Sequence, residues 1–287
     1  MAGQVGMASD GLATTVYGLG SAVIWGAGDF CGGYATKRTG VYGVVAASQT
    51  IGLMVLLAMA LVTLERAPTA TELAWSSLAG LCSGLGLVFY YRALSGGSMG
   101  SSAPVTGVVT AAVPALTGFL FEGVPSPLQT VGFALAIIAI AQVTGLSRKN
   151  LTPNKQLIRS LLAGIFFGLF LIFLGQVSQD SYLYPLSITR VVTIAMALAM
   201  AYVSGGPKIP QTAAPLAVGA GVFDSMGSLL YLLARHAGRL DVAGVLSSLY
   251  PVSTVVLAKT ILQEPISPRK AVGIAFATAA TAALYAG

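Results

Sequence analysis

Ten apolar stretches of about 20 residues, the length needed to cross roughly 30 Å of hydrocarbon, follow one another along the chain with only short polar connections. They cover 15–34, 42–64, 72–94, 100–121, 127–146, 158–176, 184–203, 213–234, 242–262 and 268–286. The longest plainly polar connection is SRKNLTPNKQLIR, after the fifth stretch, so no segment remains for a soluble domain. Only 8% of the 287 residues are charged and 55% are hydrophobic, whereas soluble chains carry about 25% charged residues. Mean hydropathy is +0.83. Backbone groups in lipid must be satisfied within the segment, which selects helices. The expectation is an all-α polytopic membrane protein with ten transmembrane helices.

The flanks and cysteines agree. MAGQVGMASDGLATT lacks the basic start of a signal peptide, so no cleavage is expected. Cys31 and Cys82 both fall in apolar stretches and give no disulfide framework. The formal charge of +6 reports orientation here and not a nucleic-acid partner. Connections after odd-numbered stretches carry Lys37, Arg38, Arg92, Arg148, Lys149, Lys155, Arg159, Lys208, Arg269 and Lys270. The opposite connections carry Arg66, Arg235 and Arg239. The positive-inside rule then puts both termini outside the cytoplasm. Lys259, near the end of the ninth stretch, snorkels to the headgroups. Trp75 reads as an interfacial anchor.

The chain is written twice. At an offset of 231 − 90 = 141, Tyr90 matches Tyr231, Gly80 matches Gly221, Gly86 matches Gly227, and Ser126-Pro127 matches Ser267-Pro268. Ala93, Gly97 and Gly132 also find their like at Ala234, Gly238 and Gly273. The tyrosine and Ser-Pro matches mark a true internal repeat. Five spans per copy, an odd number, force the second copy to enter the membrane upside down. The divisions are 1–147 and 148–287, two inverted five-helix repeats around a central cavity. Secondary transporters use that architecture, with the substrate near the midplane where the halves meet.

WGAGDFCGG, FYYRALSGGSMGSSAPV and FEGVPSPLQTVGFALAIIAI resemble the drug/metabolite transporter superfamily, and LYLLARHAGRLDVAGVLSSLYPV and LQEPISPRKAVGIAFATAA repeat the pattern. The chain is similar to ten-helix EamA-type exporters, YddG-like amino-acid and metabolite exporters among them. That resemblance covers nearly the whole chain. It implies a bacterial inner-membrane protein with spans five and ten at the periphery, exporting amino acids, drugs or sugars. The glutamate that the smallest superfamily members use in their first helix has no counterpart in span one or six.

Charges inside the spans point to the site. Asp224 lies near mid-span in the eighth stretch and Asp29 lies deep in the first. Arg190 interrupts YPLSITRVVTIAMALAMAYV. Its repeat equivalent is Gln49, since 190 − 141 = 49, and Thr189 likewise falls on Ser48. Arg190 is expected either to face a wet cavity and grip a substrate carboxylate, or to pair with Asp224 as a strut. Asp29 and Asp224 suit a substrate amine or a carried proton. Trp25 and Tyr250 are candidate cavity aromatics, with Gln176, Ser247 and Ser248 as further hydrogen-bonding candidates. Tyr90, Tyr91 and Tyr231 read as packing near span ends. Pro104, Pro114 and Pro251, in the equivalent spans four and nine, are expected to bend them. His236 reads as a solvated residue of an outer turn.

These residues favour a secondary exporter of small metabolites, most simply amino acids, working by alternating access. The alternative is an exporter of cationic drugs, marked by a central acid without a balancing base. An enzyme is disfavoured because the sole histidine lies outside the spans and no nucleophile–base pair appears. A passive channel fits bent helices in an inverted repeat less well. No nucleotide loop, cofactor or metal set is expected. The expected partners are a small-molecule substrate and the lipid bilayer, and the chain is expected to act as a monomer.

Overall fold

The computed structural model describes residues 2–95, 99–121, 123–143, 155–204 and 214–262, with separate positions between 268 and 283. Every regular element among them is an α-helix. The helices are α1 (Ala2–Thr36), α2 (Val41–Thr63), α3 (Ala70–Ser95), α4 (Met99–Phe121) and α5 (Pro127–Val143) in the first half. The second half has α6 (Lys155–Leu174), α7 (Leu183–Val203), α8 (Ala214–Ala237), α9 (Leu240–Ser247) and α10 (Tyr250–Leu262). Among the described residues, α2, α6, α7, α8 and most of α3 are long and apolar enough to cross a membrane. Side chains such as Leu61, Val62, Phe121, Tyr202 and Val203 face outward.

Two expectations about the elements change, and a third is not tested. The first helix begins at Ala2, well before the expected 15. The expected ninth span is two helices, α9 and α10, parted at Ser248–Leu249. The expected tenth span, 268–286, lies largely outside the described residues, so the ten-helix count remains an expectation.

Proline chemistry explains the break. Pro251 has no N–H to donate to the carbonyl of Ser247, and in a continuous helix its ring would crowd that carbonyl. The chain therefore tightens before it: Ser248 N–H donates to Gly244 O at 3.0 Å and Leu249 N–H to Leu246 O at 3.2 Å. A new helix then starts with Pro251 in its first turn, where no N–H is needed. Pro251 thus opens a helix; it does not bend one. Pro114 lies within unbroken α4 and packs on α9, where a methyl group at Gly244 would lie 2.7 Å from its Cβ. Pro104 also lies in α4, with its side chain outside the described residues, as is that of Lys259.

The packing repeats across the halves. α1 lies along α8 and α3 along α6, and these pairs are repeat equivalents. α3 meets α7 as α2 meets α8, while α2/α7 and α4/α9 pair like with like. This is the pattern of a two-fold pseudo-axis. Small residues permit the crossings. A methyl group at Gly80 would lie 2.7 Å from the Thr189 carbonyl oxygen, and one at Gly221 would overlap that of Ser48. These are equivalent contacts, because 221 − 80 = 141 and 189 − 48 = 141. Among the described residues α5 packs chiefly on α4 and the α9–α10 pair, which leaves it peripheral.

The two ends differ. At one, Arg92 donates to the Tyr42 hydroxyl and Gln156 Nε2 to Ala93 O at 2.8 Å, joining the ends of α2, α3 and α6. At the other, Glu65 accepts from Ser181 Oγ at 3.2 Å, Tyr182 N–H at 3.0 Å and Leu183 N–H at 2.8 Å. A carboxylate there answers the unpaired donors and positive dipole of the α7 N-terminus. Arg66 pairs with Glu72 at 2.7 Å, and Arg239 pairs with the fully buried Asp241 at 2.7 Å. His236 belongs to this end, but in the last turn of α8 and half-buried. Its Nδ1 lies 2.9 Å from Leu232 O and its ring 5.2 Å from that of Tyr182, so it is not a solvated turn residue.

Candidate functional site

A cleft lies between the halves, at the level where α9 gives way to α10. Its walls come from α1 (Trp25, Asp29), α3 (Ser83, Leu87), α4 (Thr110), α6 (Phe167, Phe170, Leu171), α8 (Asp224) and the helix break (Ser248, Tyr250). The space between these side chains, counted to its open mouth, is about 460 Å³. Of the residues expected from sequence, the structure brings Trp25, Asp29, Asp224, Tyr250 and Ser248 to the cleft. Ser247 is buried against α1, and Gln176 is exposed in the turn after α6.

Arg190 and Gln49 do not line it, which corrects the wet-cavity expectation. Arg190 has 0% exposure. One guanidinium nitrogen lies 2.7 Å from Asp224 Oδ2 and donates to Gln49 Oε1 at 3.0 Å. The other donates to Ser228 Oγ at 2.8 Å and to the Asp224 carbonyl oxygen at 3.2 Å. Gln49 closes the ring by donating Nε2–H to Asp224 Oδ2 at 2.7 Å. The cost of burying a guanidinium is offset by a charge partner and by acceptors at both terminal nitrogens, while Nε is buried without a partner among the described residues. Arg190 is a strut behind the cleft wall.

Asp224 faces both ways. Its Oδ2 serves the strut, yet 24% of the side chain stays exposed. Asp29 lines the same cleft with no ion-pair or hydrogen-bond partner among the described residues. No cation lines the cleft among the described residues. Two carboxyl groups, one of them paired from behind, face a space enclosed by Trp25, Phe167, Phe170 and Tyr250. Among the described residues no cluster suits a metal ion.

The Gln49–Arg190 bond joins repeat equivalents: the two residues are 141 apart. A contact between equivalents marks the pseudo-axis, and the cleft flanks it. Asp224 is the equivalent of Ser83, another lining residue, since 224 − 83 = 141. In α1 and α6 the offset becomes 142. Thr106 Oγ1 donates to Ser160 O and its equivalent Ser247 Oγ to Gly18 O, with 160 − 18 = 142. Trp25 and Asp29 therefore match Phe167 and Leu171, and all four line the cleft. Sequence reasoning missed Ser83, Phe167 and Leu171. The repeat held the signal for them; Leu87, Thr110 and Phe170 left none.

A family model matches this chain twice, over residues 12–145 and 155–286, and it describes the EamA-like transporter family. The chain belongs to the EamA-like transporter family. The two matches are the two copies whose equivalents meet at Gln49 and Arg190. One solved crystal structure, titled only as that of a protein, is 17% identical with a TM-score of 0.72, covering 94% of this chain and 95% of the other. That likeness speaks to fold. No curated protein matches. As an EamA-like protein the chain is an integral membrane transporter of small solutes, built from two repeats.

Proposed function

We propose that this EamA-like protein is a secondary transporter that exports small organic solutes bearing an ammonium group by alternating access. The observation that carries the substrate class is the lining: Asp29 and Asp224 face the cleft while Arg190 is sealed behind Asp224. The amino-acid expectation drew on Arg190 as the holder of a carboxylate. With Arg190 engaged, the ammonium end is what this cleft recognises in any substrate, amino acids included. Aromatic walls add cation–π attraction, worth about 0.5–2 kcal/mol per well-placed ring. Alternating access is supported by the paired repeats, the pseudo-axis beside the cleft and the broken helix in its wall.

The test is counterflow in proteoliposomes loaded with single solutes. Organic amines are expected to exchange, amino acids to exchange more weakly, and carboxylic acids without an amine not at all. Exchange of simple carboxylates in preference to amines would sink this reading.

A further inference from the structure

Tyr90 and Tyr231 form the firmest match between the repeats, and the structure gives them equivalent surroundings. Tyr231 stacks on Trp25 with ring centroids 6.0 Å apart, and Tyr90 meets Phe167 at 5.7 Å. A methyl group at Gly227 would lie 2.5 Å from the Trp25 ring, and one at Gly86 would lie 2.5 Å from that of Phe167. Since 167 − 25 = 142 and 227 − 86 = 141, these contacts are the same contact made twice. Both tyrosines have 0% exposure.

Their hydroxyls differ. Tyr231 donates to the Leu171 carbonyl oxygen at 2.5 Å. The Tyr90 hydroxyl is buried without a hydrogen-bond partner among the described residues. Native chains seldom leave such a group unpaired without a use for it. The equivalent of the Leu171 carbonyl is that of Asp29, since 171 − 142 = 29. The acceptor that symmetry assigns to Tyr90 thus belongs to a residue of the cleft wall.

In an inverted repeat, exchanging the open face amounts to exchanging the conformations of the two halves. A contact made in one half and missing in the other is then made in the other half when the opposite face is open. We propose that Tyr90 and Tyr231 are the two arms of a switch: Tyr231 holds Leu171 in this conformer, and Tyr90 holds the Asp29 carbonyl in the opposite-facing one. This rests on the alternating-access reading above. Tyr231–Leu171 lies toward the α6–α7 end, and Tyr90 and Asp29 lie toward the α1–α2 end. Closing the Tyr90 arm draws α1, and Asp29 with it, against α3, so the bound solute loses its exit on that side. Gln49–Arg190, a contact of equivalents, maps onto itself and persists in both states.

The test uses Ser83→Cys as reporter, with Cys31→Ala and Cys82→Ala to remove other thiols, in right-side-out and inverted membrane vesicles. A membrane-impermeant maleimide reads which face the cleft opens to. Tyr231→Phe is expected to raise labelling from the α6–α7 face relative to the other by about three- to tenfold, the range a single hydrogen bond supports. Tyr90→Phe is expected to shift the ratio as far the opposite way, and the double variant to return it near the parent. Labelling from both faces with ratios that stay put or move in parallel overturns the switch alone. Labelling confined to one face in every variant, with or without an added amine, overturns alternating access and the switch together. If Tyr231→Phe does not insert, Tyr90→Phe decides the matter, since it removes no bond from the conformer described.

Discussion

Arg190 and Asp224 are bound to each other but are not equally dependent on each other. Arg190 is wholly buried, while Asp224 keeps a quarter of its side chain on the cleft and a second donor in Gln49. Asp224→Asn therefore strands a guanidinium in a dry interior, a loss of about 3–5 kcal/mol. Arg190→Gln leaves a carboxylate that Gln49 and cleft water still solvate, and costs less, about 1–3 kcal/mol. Thermal unfolding in detergent should rank Asp224→Asn below Arg190→Gln; the reverse order would mean that Asp224 is the more buried partner in solution. Asp29 has no partner to lose among the described residues, so Asp29→Asn should hold stability within about 0.5 kcal/mol while abolishing amine counterflow. Which charges matter was legible in the sequence, because a charge inside an apolar span requires a reason. Where they point was not. Periodicity places Arg190 on a helix, but only the approach of α2 and α8 decides whether it meets water or Asp224. The repeat arithmetic came nearest: it named Gln49 as the equivalent of Arg190, and the two prove to be bonded.

Helix boundaries follow local chemistry that a count of apolar residues blurs. The expected bend at Pro251 is a break upstream of it, since proline cannot bond to the carbonyl one turn before it and its ring crowds that carbonyl. Sequence alone marked the proline; the site of the break came from the bonds of Ser248 and Leu249. The end of α2 shows a different tension. Leu64 caps it at φ 50°, ψ 42°, a left-handed conformation that suits glycine, and it is 84% exposed. Its side chain contributes little there, while the backbone carries roughly 1–2 kcal/mol of strain. Leu64→Gly is expected to raise stability by about 0.5–1 kcal/mol, the strain relieved less the added freedom of glycine in the unfolded chain. Detergent melting curves check this. A fall in the melting temperature would show that Leu64 makes a contact with lipid or a neighbour that outweighs its backbone.

At the scale of the whole molecule the question is which end faces the cytoplasm. The charges count most at the ends of spans, where they must cross or stay behind. The structure gathers Lys37, Arg38, Arg92, Lys155 and Arg159 at the end where α1 meets α2 and α3 meets α6. The far end collects Glu65, Glu72, Asp180 and Asp241, and its Arg66 and Arg239 are paired with acids. Pairing matters, because an arginine clamped to a carboxylate presents little net charge to the headgroups. The contrast between ends is therefore sharper than a tally of basic residues suggests. The expected topology puts the α1–α2 end in the cytoplasm, near anionic lipid that attracts each surface base by about 1 kcal/mol. A Lys37→Cys reporter, with Cys31→Ala and Cys82→Ala, should react with an impermeant maleimide in inverted vesicles and not in right-side-out ones. An Asp180→Cys reporter should do the opposite. Inverse labelling would turn the molecule over and place the Glu65–α7 contact at the cytoplasmic face. The conformer described, with Tyr231 joined to Leu171 toward that end, would then be closed to the cytoplasm; in the expected topology it is closed to the outside.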